Sequence, residues 1–247
     1  MDMIAATTVH FDSSLAQLHV IMSGGFAGAY QQVVPVFEAR SGIRIFTASG
    51  ASQGKGFQTI AALLQNGSPA DVVILSREGL SELIALGQIV AGSDVDLARV
   101  ALGAGVRSGA EKPDISSISA LKQALLKAET IAVPASTSGI YLREHVFPGL
   151  GIQDLITVKV KERGTQSAAL VAQGEANMAL QPVSELVGVP GIDCLGRLPD
   201  AVQLVQVFAA AITTRARNAD AAQQLIAFLA SARTASAKVQ CGMDVAG

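Results

Sequence analysis

Three short stretches rich in serine and glycine carry the chemistry open to this sequence. Ser23-Gly24-Gly25 follows the apolar run 18–22. Residues 49–56 read SGASQGKG and add an amide, Gln53, and a cation, Lys55. Residues 134–139 read PASTSG and place Ser136, Thr137 and Ser138 before a helical pattern. Each stretch sits where a strand-like run gives way to a helix-like one. There the first backbone N–H groups lack intrahelical partners, and the helix dipole favours negative charge. Hydroxyls and glycine backbone in such places suit an anion. The candidate ligand contacts from these stretches are Ser23, Gly24, Gly25, Ser49, Gly50, Ser52, Gln53, Gly54, Ser136, Thr137, Ser138 and Gly139. Each also has a plainer reading, as a tight turn, an N-cap or a surface loop with a solvated lysine.

Two other motif readings fall on the same loop. Gly50-Ala51-Ser52-Gln53-Gly54 fits the G-x-S-x-G nucleophile elbow. A hydrolase would then need an Asp and a His further on. The only later histidine is His145, inside a helix-like run, and the elbow would follow only the second strand. Residues 50–56 also approach a Walker A loop, but one residue is missing between the glycines. Gly56 stands where a magnesium-binding Ser or Thr is required. Both readings are set aside. His10 and His19 have no metal partner at helical spacing, and the carboxylates form no pair of glycosidase or metal-cage type. Cys194 and Cys241 are far apart, with no CxxC spacing, and are expected as buried thiols. No metal and no cofactor are expected.

The elements that must position these residues follow from the pattern. With 247 residues, half of them apolar but only 4% aromatic, the core must be built of Ala, Val, Leu and Ile. A net charge of -2 gives no reason to expect nucleic acid or an anionic membrane as partner. Strands are expected at 18–22, 43–48, 71–75, 100–106, 130–133, 155–160, 178–180 and 205–212. Helices are expected at 26–41, 57–66, 78–86, 119–128, 140–147, 167–173 and 219–230. This alternation implies α/β architecture with parallel sheets covered on both faces. Residues 1–17 read as an N-terminal extension. They carry Asp2 and Asp12 but no Lys or Arg, unlike a secretory signal. No apolar run approaches the ~20 residues of a membrane span. The chain as it stands is therefore expected to be cytoplasmic, and periplasmic only if a native signal has been removed.

The order of elements resembles the type II periplasmic-binding-protein superfamily, and within it the molybdate-binding proteins. The stretches that carry this are 18–30, Gly67-Ser68-Pro69-Ala70-Asp71, Ser138-Gly139-Ile140-Tyr141 and 170–176. A finer resemblance, to the aconitate isomerase subgroup, rests on Ser23-Gly24-Gly25, Gly54-Lys55, Lys112-Pro113-Asp114-Ile115-Ser116, residues 136–139, Gln181 and Val183-Ser184-Glu185-Leu186. The resemblance implies two lobes, each a mainly parallel sheet flanked by helices. One lobe would be 18–99 plus 206–247 and the other 100–205, with the ligand in the cleft between them. It adds Tyr141, Thr165, Gln166 and Gln181 to the ligand contacts. It also implies a monomer, partnered by a transporter permease if exported.

The sequence departs from the molybdate pattern in ways that bear on the ligand. Pro182 replaces a tyrosine of the last binding segment, and the second loop is longer and carries Lys55. These changes favour a larger anion with several carboxylates, held by Lys55, by helix starts and by Arg163. Two functions follow. One is an aconitate-isomerase-like enzyme that moves a double bond by allylic proton transfer, with Lys55 as the candidate catalytic residue and Tyr141 and Ser23 as alternative proton carriers. The other is a solute-binding protein for molybdate, tungstate or a carboxylate, using the same pocket without chemistry.

Overall fold

The computed structural model describes residues 16–246. The expected extension 1–17, with His10, falls outside the described residues except for Ala16 and Gln17, and Gln17 already opens the first strand. The first half of the chain runs β1 (Gln17–Met22), a 3-10 turn (Gly24–Phe26), α1 (Ala27–Ser41), β2 (Arg44–Ser49), α2 (Ile60–Gln65), β3 (Val72–Ser76) and α3 (Arg77–Ala85). A long strand, β4 (Val95–Arg107), follows. Then come α4 (Ile118–Ala128), β5 (Thr130–Pro134), and α5 (Thr137–Tyr141). A π-helical stretch, Leu142–Val146, joins α5 to α6 (Phe147–Leu150). Next are β6 (Thr157–Lys161), α7 (Gly164–Ala172), β7 (Met178–Pro182), a second 3-10 turn (Val183–Glu185) and β8 (Ile192–Arg197). The chain ends with β9 (Val205–Ile212), α8 (Ala219–Ala230), α9 (Ala235–Gln240) and β10 (Asp244–Val245).

The strands lie in the order β2-β1-β3-β9-β4-β7-β5-β6, with β8 and β10 pairing on β4. Strands β2, β1 and β3 are mutually parallel, and so are β7, β5 and β6. Antiparallel β9 and β4 join the two sets. Residues 95–101 of β4 pair with β9, and residues 102–106 pair with β7. The core divides at the same place. Leu97, Ala98 and Val100 pack with β1, β3, α1 and α8, whereas Leu102, Ala104 and Val106 pack with α4, β5 and β7.

Alternation along the parallel strands shows why helices cover both faces. In β3, Val72 and Ile74 pack toward α1 and α8, while Val73 and Leu75 pack toward α2 and α3. All five residues of β3 are buried, as expected for a strand covered on each side. In β5, Ile131 and Val133 face one cluster and Ala132 faces another, under α7. Helix ends follow local chemistry. The hydroxyls of Thr59, Ser76 and Ser117 accept the N–H groups of Ala62, Gly79 and Ala120 and so start α2, α3 and α4. Gly42, at φ 70°, closes α1.

Some expected bounds shift for these reasons. Helix α2 begins at Ile60 rather than at 57, because Thr59 caps it and Phe57 stays 85% exposed. Helix α7 begins three residues early, at Gly164, because the Gln166 side chain accepts the backbone N–H of Arg163. Strand β8 and helix α9 have no counterpart in the expected pattern. Both cysteines are free thiols. Cys241 is buried as expected, but Cys194, on a half-covered strand, is only partly so.

Gly139 tests how tightly the turn after β5 is made. A Cβ there would fall 1.6 Å from the carbonyl oxygen of Pro134. Alanine would gain about 1 kcal/mol of helix propensity. A collision with backbone costs more, since neither partner is a movable side chain. Gly139→Ala is expected to lose on the order of 3 kcal/mol in denaturant unfolding; a loss below about 0.5 kcal/mol would mean that the turn has room to give.

Candidate functional site

The C-terminal ends of the two parallel strand sets face one another, and the loops that leave them enclose a cavity. Strand β1 delivers Ser23, Gly24 and Gly25, and β2 delivers Gly50, Ala51 and Ser52. From the other set, β5 delivers Ser136 and Ser138, β6 delivers Glu162, Arg163 and Gly164, and β7 delivers Pro182 and Glu185. Gln206 and Phe208 of β9 complete the lining. The cavity encloses about 350 Å³ of empty space, counting its mouth. Strand C-termini are where open parallel sheets place ligands. A larger groove lies at the opposite, N-terminal ends of β5 and β7, between Arg107, Lys127 and Asn177.

The cavity is lined by groups awaiting partners. Ser23 is the N-cap of the first 3-10 turn, yet its side chain makes no capping bond. It is buried at 5% exposure, and its Oγ has no hydrogen-bond partner among the described residues. Gln206 is 2% exposed, and its Oε1 is likewise unpartnered. Ser136, the N-cap of α5, also makes no side-chain capping bond. Buried polar atoms are costly unless something pairs with them. The hydroxyls of Ser23 and Ser136, beside helix starts, can donate to the oxygens of an anion, whereas Gln206 Oε1 can only accept from a donor.

Direct bonds span the cavity's two walls. Thr137 Oγ1 donates to Gln53 Oε1 at 2.7 Å and lies 3.0 Å from Ser76 Oγ. Arg163 donates from one guanidinium nitrogen to the Ser49 carbonyl at 3.0 Å and to Gln58 Oε1 at 3.1 Å. Ser184 Oγ donates to the Gly25 carbonyl at 2.7 Å. Each such bond is worth about 1 kcal/mol net, so the cleft is held shut by contacts that are individually weak.

The sequence candidates divide into those in the cavity and those outside it. Ser23, Gly24, Gly25, Gly50, Ser52, Ser136 and Ser138 line it. Ser52 Oγ also accepts the Ser76 N–H at 3.1 Å. Thr137 and Gln53 are engaged with each other, and Gln53 also donates to Glu82. Gly139 is buried against Pro134. Ser49 is exposed and contributes its carbonyl. Lys55 is exposed and lines a shallow neighbouring pocket with Gln53, Gly54 and Glu162. Thr165 and Gln166 are exposed on the first turn of α7. Tyr141 points its hydroxyl at the Gln203 carbonyl, 3.4 Å away, in the core of the second half. Gln181 is fully buried behind the cavity, where its Nε2 donates to the Glu185 carbonyl at 2.8 Å.

Glu185 and Gln206 were not among those candidates. Gln206 had a legible signal: in Val205-Gln206-Val207-Phe208, strand alternation puts the lone amide and Phe208 on one face. Glu185 had only its place in the stretch 183–186 that carries the finer resemblance, since by pattern a glutamate after a short strand reads as a solvated helix start. Burial pushes its carboxyl from the ordinary 4.5 up to about 7. Burial also pushes both thiols up. Among the described residues no cluster of three His, Cys, Asp or Glu side chains could hold a metal ion, and no helix is long and apolar enough to cross a membrane.

Comparisons with known proteins agree with this fold. An aconitate isomerase from a Pseudomonas species is 35% identical over 242 residues, covering 98% of this chain and 92% of that protein. The periplasmic molybdate-binding protein of Azotobacter vinelandii superposes with a TM-score of 0.73 at 18% identity, over 93% of this chain and all of the other. A sulfate-binding protein from Mycobacterium tuberculosis gives 0.72 at 16% identity, over 92% and 86%. These two likenesses establish the type II periplasmic-binding fold and no more. The family described as bacterial extracellular solute-binding protein matches residues 18–244, and the chain belongs to it.

Proposed function

We propose that this protein binds aconitate in the interlobe cavity and interconverts its trans and cis forms. The observation that carries the reading is the unpartnered hydroxyl of Ser23, buried beside a helix start in a cavity that a 35% identical aconitate isomerase would share. Residues 18–99 with 206–247 act as one lobe and 100–205 as the other, closing on the ligand about β4 and β9. Ser23, Ser136 and Ser138, with the N–H groups at the starts of α1, α5 and α7, bind carboxylate oxygens. Lys55 and Arg163, near the rim, attract the anion, and Lys55 pairs with an outer carboxylate.

The reaction removes a proton from the methylene carbon of the substrate and returns one to the carbon at the far end of the allylic system. The double bond moves by one position, and no electrons are gained or lost. The intermediate carries extra negative charge on a carboxylate oxygen. Fixed N–H and O–H donors at that oxygen lower the barrier, because they need no rearrangement as the charge develops. Closure excludes the water that would otherwise weaken those bonds.

Incubation of the purified protein with trans-aconitate, followed by chromatography for cis-aconitate, tests the reading directly. Turnover is expected, with thermal stabilisation by either isomer. Stabilisation by trans-aconitate without turnover would instead mark a receptor of the kind the family's description names. Stabilisation by molybdate or sulfate alone would overturn the carboxylate ligand.

Two variants test the site. Ser23→Ala removes a hydrogen bond to a charged oxygen and should lower kcat/KM by ~10- to 100-fold. Lys55→Ala removes an exposed charge and should raise KM about 3- to 10-fold with kcat within about twofold. A collapse of kcat in Lys55→Ala would make the lysine the acid/base group.

A further inference from the structure

The turn after β7 holds a carboxyl where the reaction needs a proton carrier. Val183–Glu185 is fixed by three bonds: Gln181 Nε2 to the Glu185 carbonyl at 2.8 Å, Ser184 Oγ to the Gly25 carbonyl at 2.7 Å, and Leu186 N–H to the Val183 carbonyl at 2.9 Å. The Glu185 carboxyl lies between two glycines, one from each wall of the cleft. A Cβ on Gly24 would fall 2.0 Å from Oε1, and one on Gly164 would fall 2.2 Å from Oε2. Any other residue at either position would displace the carboxyl. Glycine at both leaves it wedged between backbones and lining the cavity.

We propose that Glu185 is the catalytic proton carrier of this cavity. Its carboxylate takes the proton from the methylene carbon of a bound unsaturated tricarboxylate and gives it back to the far allylic carbon. In the first step the C–H bond breaks and its electron pair becomes the new C=C bond. The former C=C pair moves onto the conjugated carboxylate, and the proton joins a Glu185 oxygen. In the second step that O–H bond breaks, the electrons return, and a C–H bond forms at the far carbon. One group serves both steps because the two carbons are separated by a single atom. Glu185 ends as it began, and no co-reactant is consumed.

The surroundings suit this role. The charged groups that share the cavity are Glu162 and Arg163, both on the loop before α7, and Arg163 is bonded to Ser49 and Gln58. The loop before α1 brings only Ser23 and glycines, and β9 brings Gln206 and Phe208. Strand β4 meets the turn through Gly103, β8 packs Cys194 in the cluster of Leu186, and the segment after α9 meets Val183 through Gly242. Desolvation in this half-buried position raises the basicity of Glu185, to about 7. A base with that affinity removes protons from carbon better than a solvated carboxylate and is still half ionised near neutrality.

The proposal rests on the isomerase reading, and the test separates the two. In wild type, trans-aconitate is expected to turn over and to give a kcat/KM that rises with pH through about 7. Glu185→Gln should lose ~10²- to 10⁴-fold in kcat and still be stabilised by trans-aconitate. A Glu185→Gln enzyme that keeps kcat and the pH profile while wild type is active overturns the proton carrier and leaves the isomerase standing. Wild type without turnover overturns both.

A pH series in thermal unfolding gives a readout free of activity. The folded state binds the Glu185 proton more tightly than the unfolded chain, at about 7 against 4.5. Its contribution to stability is thus complete below about 4.5 and is lost as pH rises through 7. Glutamine has no charge to bury and escapes that loss. Glu185→Gln should melt near wild type at pH 4.5 and clearly above it at pH 8. A difference that does not change with pH overturns the buried carboxyl on which the proposal depends.

Discussion

Everything at the cavity depends on one strand that belongs to two cores. The first half of β4 is covered by α1 and α8, and its second half by α4 and the strands that follow. No break in the backbone marks the change. What changes is the partner: β9 up to Ala101, then β7 from Leu102. At the entry to β4, Arg77 pairs with both Asp94 and Asp96 and ties the strand to the start of α3. Because β4 crosses between two parallel sets, the C-terminal ends of those sets point toward each other. An anion held there meets helix starts on both sides, which neither half offers alone.

That arrangement explains the economy of charge in the site. A dianion or trianion needs compensation, yet the cavity wall has one guanidinium and two carboxyls. The balance must come from backbone dipoles and neutral donors. These bind oxygens without presenting a mobile counter-charge, and they lose little entropy because the helices already fix them. The same economy sets Glu185 apart. A carboxyl in a site built for anions is disfavoured twice, by its own desolvation and by the ligand's charge, and both effects favour its protonated form. A group that is easily protonated beside substrate carbon is a suitable proton carrier and a poor fixed charge.

How much of this was legible in the sequence depends on which residues are asked about. The run 18–25 was readable, because a buried strand ending in Ser-Gly-Gly has few alternatives to a turn at a helix start. The five buried residues of β3 were readable for a similar reason. Strand β8 was not, since its residues are mostly half-buried and lack both alternation and a continuous apolar run. Within the site, local pattern identified hydroxyls that sit at helix starts, whichever way the chain folds. It could not identify Glu185, whose environment comes from Gly24 and Gly164, residues 161 and 21 positions earlier. Lys55 is the reverse case: a prominent charge in a suggestive loop, carried to the neighbouring pocket by the turn before Thr59.

The bonds across the cleft bear on what a binding fold would need in order to perform chemistry. Thr137 spends its hydroxyl on Ser76 and Gln53, so it ties the two walls together whether or not a ligand is present. Ser23 has no hydroxyl partner among the described residues, which leaves it available to a ligand. A ligand shifts closure only by the contacts it makes better in the closed state. An anion reaching from Ser23 on one wall to Ser138 on the other makes such contacts, and that requirement is common to receptors and enzymes. Turnover asks for one thing more, a group beside the ligand's carbon that changes its protonation at working pH. In a receptor, a protonated carboxyl between two glycines could donate to the anion and would weaken its binding on ionising; under the proposal, Glu185 does more and is that group.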